Sequence, residues 1–319
     1  MQPEISVVVS TYNRVDSLVG TIQSILAQEN APPFELIVVD NNCTDGTAAA
    51  VRAIEEKDPR LHYVFEARQG VSYGRNAGIA ASRGSIIAFT DDDVFADKNW
   101  VATIKATFDE HPECGCVGGK VLPLWPAPAP AWLKQRHWSP LALLDYGEPQ
   151  SIGADNPKCL ITANMSVRRE IFNAIGYFLP AFQKTKGSTC SVEDRELQER
   201  YWRAGGRCWF NPNIIVYAEV QPNRLTKAYH RKWHFSHGEL HALMRDPALE
   251  SSHRTVLGVP GHIFRRAITH SLHMLWSTIK GDSESAFAHE LEARFCFGFI
   301  RKRLSGNRSP GAVSPAASL

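Results

Sequence analysis

The sequence has no apolar run approaching the roughly 18 residues that a membrane-spanning helix needs, and no basic start followed by a short apolar core. Neither an integral membrane protein nor an exported one is expected. Charge of one sign is also missing: 35 basic against 33 acidic side chains leave +2, which provides no field to attract a nucleic acid. The seven cysteines include no Cys-x-x-Cys pair, and Cys114-Gly115-Cys116 is too tight for a structural zinc knuckle. Reduced thiols and a cytoplasmic setting follow, with the protein soluble or peripheral at the cytoplasmic face of a membrane. No internal repeat is present.

What the chain does have is 319 residues with 44% hydrophobic content, enough for one large α/β domain or a domain with an appendage. Apolar runs alternate with amphipathic stretches. Strands are expected at Ile5 to Ser10, Phe34 to Val39, Leu61 to Phe65 and Ser85 to Phe89. Helices are expected at Val15 to Gln28, Thr44 to Lys57, Ser72 to Ser82 and Asp97 to Phe108. This is the pattern of a Rossmann-type, mostly parallel sheet flanked by helices. The prolines in Leu122 to Pro130 exclude regular structure there and separate a nucleotide-binding half, 1–121, from a second half, 122–222. In that second half Val167 to Ile175 and Val192 to Ala204 read as helices, and Cys208 to Phe210 and Ile214 to Tyr217 as short strands. The loop Gly176 to Ser191 has a length usually reserved for functional segments. Residues 223–304 read as a helical extension and 305–319 as a disordered tail.

Ligands of such sheets bind beyond the carboxyl ends of the strands. Those ends carry Thr11-Tyr12-Asn13-Arg14, Asp40-Asn41-Asn42 and Asp91-Asp92-Asp93. Three adjacent carboxylates repel one another, and a hard divalent cation with oxygen ligands, Mg²⁺ or Mn²⁺, relieves that repulsion. An acidic turn capping the next helix is the competing reading of the triplet.

Five motifs in one order carry a resemblance: Val7 to Arg14, Val38 to Thr47, Gly74-Arg75-Asn76-Ala77-Gly78, Phe89 to Asp93 and Val192 to Leu197. Together they resemble the family 2 glycosyltransferases of GT-A fold, which implies a GT-A-like domain over residues 1–222 that moves a sugar from a nucleotide diphosphate. The resemblance implies that Asp93 and Asp91 hold the cation, with Asp91 and Asp92 also near the donor. It places Asp40 against the N3–H of a uracil-like base, favouring a UDP-sugar. It sets Thr11, Tyr12, Asn13 and Arg14 along the nucleotide, and Arg75 toward the base or diphosphate unless a neighbouring acid pairs with it. Asp194 becomes the general base and the reaction a single displacement with inversion. Glu193 either orients the acceptor or is only a helix-start acid. Without the other motifs, both acids would read as complements to a helix dipole. The acceptor class implied is a glycan or a lipid-linked glycan.

The sequence departs from the family after Ile214 to Tyr217, where Ala218-Glu219 stands in place of a histidine that many relatives direct at the metal. Gln198-Glu199-Arg200-Tyr201-Trp202 is a poor copy of the motif of processive members, so one sugar per encounter is expected. Two other functions stay open: a catalytically silent sugar-nucleotide or glycan-binding module, and a sugar-phosphate nucleotidyltransferase, although the glycine-rich loop of the latter is missing. His230, His234, His237 and His241 recur at helical spacing, and a solvated or phosphate-facing basic surface is expected of them, not a zinc site. The stripe of Ile263, Phe264, Ala267, Ile268, Leu272, Leu275, Trp276 and Ile279, with Arg265, Arg266 and Lys280 beside it, suits a membrane interface or a packed helix equally.

Overall fold

The computed structural model describes residues 2–183, 189–250 and 254–305. Its first half follows the expected alternation: β1 (Ile5–Thr11), α1 (Val15–Leu26), β2 (Phe34–Asp40), α2 (Thr47–Glu55), β3 (Leu61–Phe65), α3 (Val71–Ala81) and β4 (Ile86–Thr90). β1 pairs in parallel with both β2 and β4, and β2 with β3. Strands covered on both faces have no polar face to show, which is why β2 and β4 are buried along their whole length. On α1, Leu18, Thr21, Ile22 and Ile25 recur every three or four residues and form the buried side.

The second half of the sheet adds β5 (Val94–Ala96), α4 (Trp100–Glu110), β6 (Cys116–Leu124), β7 (Gln150–Ile152), β8 (Met165–Arg168), α5 (Arg169–Ile175), α6 (Glu193–Arg203) and β9 (Cys208–Glu219). The strand order is β3-β2-β1-β4-β8-β6-β9-β5, with β7 also on β9. Here β8 is antiparallel to β4 and β6, while β6 and β9 are parallel.

Several expectations are corrected. Residues Met165–Arg168 form a strand that turns directly into α5, so the helix expected from Val167 begins at Arg169. The two short strands expected near 208 and 214 are one, β9, and β6 runs through Leu122–Leu124 despite Pro123. That proline is tolerated because β8 pairs only with Cys116 to Gly118, leaving the edge of β6 at Pro123 free of that neighbour. α2 starts at Thr47 and α4 at Trp100, each three residues later than expected. In the loop after α5, 184–188 lie outside the described residues, as do 306–319 of the expected tail.

The C-terminal region is helical: α7 (Lys227–Met244), the short α8 (Pro247–Glu250), α9 (Gly261–Ile279) and α10 (Ser283–Leu304), with a two-residue ribbon, β10 (Thr255–Val256) and β11 (Val259–Pro260), before α9. α10 lies between α7 and α9. α7 and α10 cross through two glycines: a Cβ on Gly238 would stand 2.0 Å from the Phe295 carbonyl oxygen, and one on Gly298 2.0 Å from that of Phe235.

The histidines of α7 are not a solvated basic face. His230 is fully buried, and Trp132 from the proline-rich segment meets it edge-on at 5.0 Å. His237 stacks on Trp233 at 4.2 Å, and its Nε2 lies 3.0 Å from that of His241, whose Nδ1 is 2.8 Å from Asp246. Burial pushes His230 and His234 down to about 4, so both are neutral at pH 7, and His230 packs as part of the aromatic core.

Gly298→Leu has no room at the crossing and is expected to destabilise the protein by about 1–3 kcal/mol or more in urea denaturation, outweighing the ~1 kcal/mol of helix propensity regained. Unchanged or raised stability would contradict the close crossing.

Candidate active site

The carboxyl ends of β1, β2 and β4 meet as the topology requires. Thr11 stands opposite Asp40 in register, and Val9 opposite Thr90, so the triplet leaves the sheet beside the first loop. The Thr11 hydroxyl donates to Asp92 Oδ2 at 2.7 Å. Arg14, just before α1, sends Nη1 to Asp92 Oδ1 at 3.0 Å and to Asp93 Oδ2 at 2.6 Å. Burial pushes the Asp92 carboxyl up to about 6 against the opposing pull of Arg14. Partial burial works against the Arg14 charge, but Asp92 and Asp93 more than compensate and raise its pKa further.

Asp40 is buried at the end of β2. Its Oδ2 accepts from the Tyr63 hydroxyl at 2.8 Å and its Oδ1 from the Cys43 backbone N–H at 2.7 Å. Asn13 adopts a left-handed backbone with φ 52° and accepts from the Thr44 N–H at 2.7 Å through Oδ1. The first loop is thereby fastened to the turn after β2, leaving Tyr12 exposed at the rim.

Arg75 ties the two halves of the crevice together. It projects from α3, which lies tight against β1 because a Cβ on Gly74 would meet Ser10 Oγ at 2.0 Å and one on Gly78 would meet Val8 at 2.3 Å. The glycine spacing of this motif thus has a packing cause. Arg75 Nη1 lies 2.5 Å from Glu193 Oε1 in the first turn of α6, and Nη2 lies 3.4 Å from Asp91 Oδ1. Arg75 thus pairs with neighbouring acids, Glu193 and Asp91. Glu193 is buried in this pair, and among the described residues its Oε2 has no hydrogen-bond partner. Asp194, the next residue, accepts from the Arg195 backbone N–H at 2.8 Å. Burial, with repulsion from Glu193, pushes the Asp194 carboxyl up to about 7 despite the nearby Arg75. Asp91 is raised as well, first by burial and then by Asp93, while Arg75 opposes the shift.

Five carboxylates, Asp91, Asp92, Asp93, Glu193 and Asp194, therefore share two guanidiniums, Arg14 and Arg75. Among the described residues no group of three His, Cys, Asp or Glu side chains is arranged to hold a metal by itself. The hard oxygens of Asp91 and Asp93 and the surplus of acid fit an ion of the Mg²⁺ or Mn²⁺ kind that takes the rest of its shell from phosphate and water, and do not fit a dedicated protein cage. Glu219, at the end of β9, donates its N–H to the Asp93 carbonyl at 3.0 Å, and its side chain is exposed. Its backbone is thus adjacent to the triplet, as Val94 pairing with Ala218 requires.

Sequence reading missed the polar side chains that hold this arrangement. Gln198 is buried on α6, accepting from the Leu160 N–H at 2.9 Å and donating to the Leu160 carbonyl at 2.7 Å. Gln183 accepts from the Ser72 N–H at 3.0 Å at the start of α3. Asn76 bonds both the N–H and the carbonyl of Phe178. A polar residue that satisfies a distant backbone looks like any surface amide in the sequence; only the Asn of the Gly74–Gly78 motif gave a signal.

The α/β sheet thus gathers acids at one strand end and at one helix start, beside two guanidiniums. The family model for glycosyl transferase family 2 matches residues 6–176, more than half of the chain, and the chain belongs to that family. It is 30% identical over 175 residues to the glucosyl-dolichyl phosphate glucuronosyltransferase of Haloferax volcanii, a match that covers 54% of this chain and 55% of that one. The chain thus spans about half the length of that curated relative, and less of several others. In fold it is similar to a mannosyltransferase from Pyrobaculum calidifontis solved with GDP-Man and Mn²⁺: TM-score 0.62, 17% identity, 96% of this chain and 88% of that one. It is similar also to S. aureus TarS 1-349 solved with UDP-GlcNAc, at TM-score 0.54 and 16% identity over 94% and 92% of the two chains. The fold is GT-A, as the motif order implied.

Removing Arg75 leaves Glu193 buried without its partner, so Arg75→Leu is expected to cost about 3–5 kcal/mol in urea denaturation, with part of the loss recovered in the Arg75→Leu, Glu193→Leu double variant. A cost within the ~0.5 kcal/mol of an ordinary surface change would show that the pair is not what joins α3 to α6.

Proposed function

We propose that the protein transfers a sugar from a nucleotide-diphospho-sugar, a UDP-sugar by preference, to a glycan or lipid-linked acceptor, with inversion and one sugar per encounter. The observation that carries this reading is the Arg75 bridge, which sets the acid triplet against Glu193 and Asp194 across one crevice. The donors bound by the two solved neighbours support a nucleotide sugar, and both a GDP- and a UDP-sugar occur among them. Asp40 at the base-binding end supports uracil.

Asp194 takes the proton of the acceptor hydroxyl as that oxygen attacks the anomeric carbon. A carboxyl near 7 is a stronger base than an exposed aspartate and still deprotonated in useful amount at neutral pH. Glu193 is a positioning residue: bound to Arg75, it fixes the first turn of α6 and raises its neighbour's pKa by repulsion. Thr11 and Arg14 hold Asp92 and Asp93 in place at the donor end. Mn²⁺ or Mg²⁺ would be held by Asp93 and Asp91 and, when bound, would neutralise the charge that grows on the leaving diphosphate. The reading places the enzyme in glycan biosynthesis in the cytoplasm, in peripheral contact with the membrane when its acceptor carries a lipid. The domain arrangement that goes with it is a catalytic unit over residues 1–222, divided near 121 into donor and acceptor halves, and a helical extension over 223–304.

Asp194→Asn keeps size and hydrogen bonding but loses proton acceptance. Transfer is expected to fall by roughly 10²- to 10⁴-fold with nucleotide affinity little changed, and near-normal transfer would remove the assignment of the base. In the parent enzyme, transfer should rise with pH to a plateau above about 7, since the raised carboxyl must be ionised to act; a flat profile from pH 5 to 8 would contradict this. Asp93→Ala is expected to abolish metal-dependent nucleotide binding, measured by calorimetry with and without Mn²⁺, and unimpaired binding or full activity in EDTA would overturn the metal site.

A further inference from the structure

The apolar stripe on α9 is divided by the fold. Ile263 and Ala267 are buried in a cluster with Ala242, Cys296 and Phe299, so this side is what attaches α9 to the rest of the extension. The other side has no covering element. Ile268, Leu272, Leu275, Trp276 and Ile279 are between 55% and 71% exposed, and their spacing of four, three, one and three residues puts them along one face. Five large apolar side chains on one outer face exceed what scattered surface hydrophobics account for.

The charge on this helix points to what covers it. α9 contains no aspartate or glutamate. Arg265 near its start and Lys280 just past its end are exposed, while Arg266 is already engaged by Glu292 at 3.1 Å. Lys280 Nζ lies 4.6 Å from the Trp276 ring centre, so a cation stands over the aromatic at the end of the apolar face. No helix of the described residues is long and apolar enough to cross a bilayer, and this one is suited to lying along its surface. A second copy is a poor occupant. Antiparallel pairing of two α9 helices would bring Arg265 of each copy toward Lys280 of the other, and parallel pairing would bring like residues together. With no acid on the helix, both arrangements set cation against cation.

We infer that the outward face of α9 docks the protein onto an anionic lipid bilayer, with the apolar side chains in the interfacial layer and Arg265 and Lys280 among the headgroups. This deepens the peripheral-membrane part of the reading above and rests on it for location only, since no residue of the crevice lies on α9. An acceptor held in the same membrane would then be presented to an enzyme already at the surface.

The test is flotation of the full chain with vesicles of phosphatidylcholine, alone or mixed with phosphatidylglycerol, at low and high salt. The protein is expected to float with the mixed vesicles and to release in salt. Trp276→Ala and Leu272→Glu should each reduce the bound fraction by roughly tenfold, and Lys280→Gln should weaken binding to mixed vesicles only. Donor hydrolysis in solution should be the same for all three. Circular dichroism checks their fold, and Lys280→Gln, at an exposed position, keeps the test standing if Leu272→Glu misfolds. Parent protein that stays unbound to mixed vesicles, or variants that float as well as the parent, would overturn the inference. So would a dimer, seen by light scattering, that these variants dissociate. Absence of donor hydrolysis in the parent protein would count against the catalytic reading and not against docking.

Discussion

The buried ion pair of Arg75 with Glu193 is the constraint on which the rest of the site depends. A guanidinium withdrawn from water is tolerated only where carboxylates face it, and Arg75 finds Glu193 at 2.5 Å and Asp91 at 3.4 Å. These two acids come from opposite sides of the crevice, one from the turn after β4 and the other from the first turn of α6. Their separation, and with it the distance between the strand ends and the start of α6, is therefore set by one side chain. The glycines on either side of Arg75 bring α3 close enough to β1 for it to reach both.

The same pair shapes the electrostatics. Glu193 cannot be moved away from Asp194, and both lie where water is scarce, so Asp194 titrates near neutrality. The extension reinforces α6 from behind. Arg195 pairs with Glu199 at 2.5 Å and reaches toward Asp246 at 3.8 Å, and Asp246 in turn holds His241. α6 is thus gripped on one side by Arg75 and on the other by α7 and the turn that follows it, which gives the C-terminal helices a role in the catalytic unit as well as any role on their outer face.

How much of this was legible in the sequence varies with the kind of element. The parallel half could be read closely because strands buried on both faces are continuous apolar runs separated by amphipathic helices. The antiparallel half was harder. β5 and β7 have three residues each, too few to show a period, and β8 passes into α5 without a turn signal. Pro123 concealed the end of β6 because a proline says nothing of whether its neighbouring edge is paired. The acids of the site announced themselves by clustering and order, whereas Gln198, Gln183 and Tyr63 did not, since their partners lie far away in the chain. The α7 histidines were misjudged for a related reason: periodicity shows that residues share a face, and only packing shows that this face is covered.

In the proposed reaction one carboxylate, Asp194, activates the acceptor for a single displacement, and no carboxylate acts as nucleophile on the sugar. The most direct measurement is the anomeric configuration of the first product, followed by proton NMR from a donor of known configuration before any mutarotation. Inversion at the anomeric carbon is the expected result. Retention would contradict it, since two successive displacements would require a nucleophile on the opposite face and a different role for the acids around Arg75.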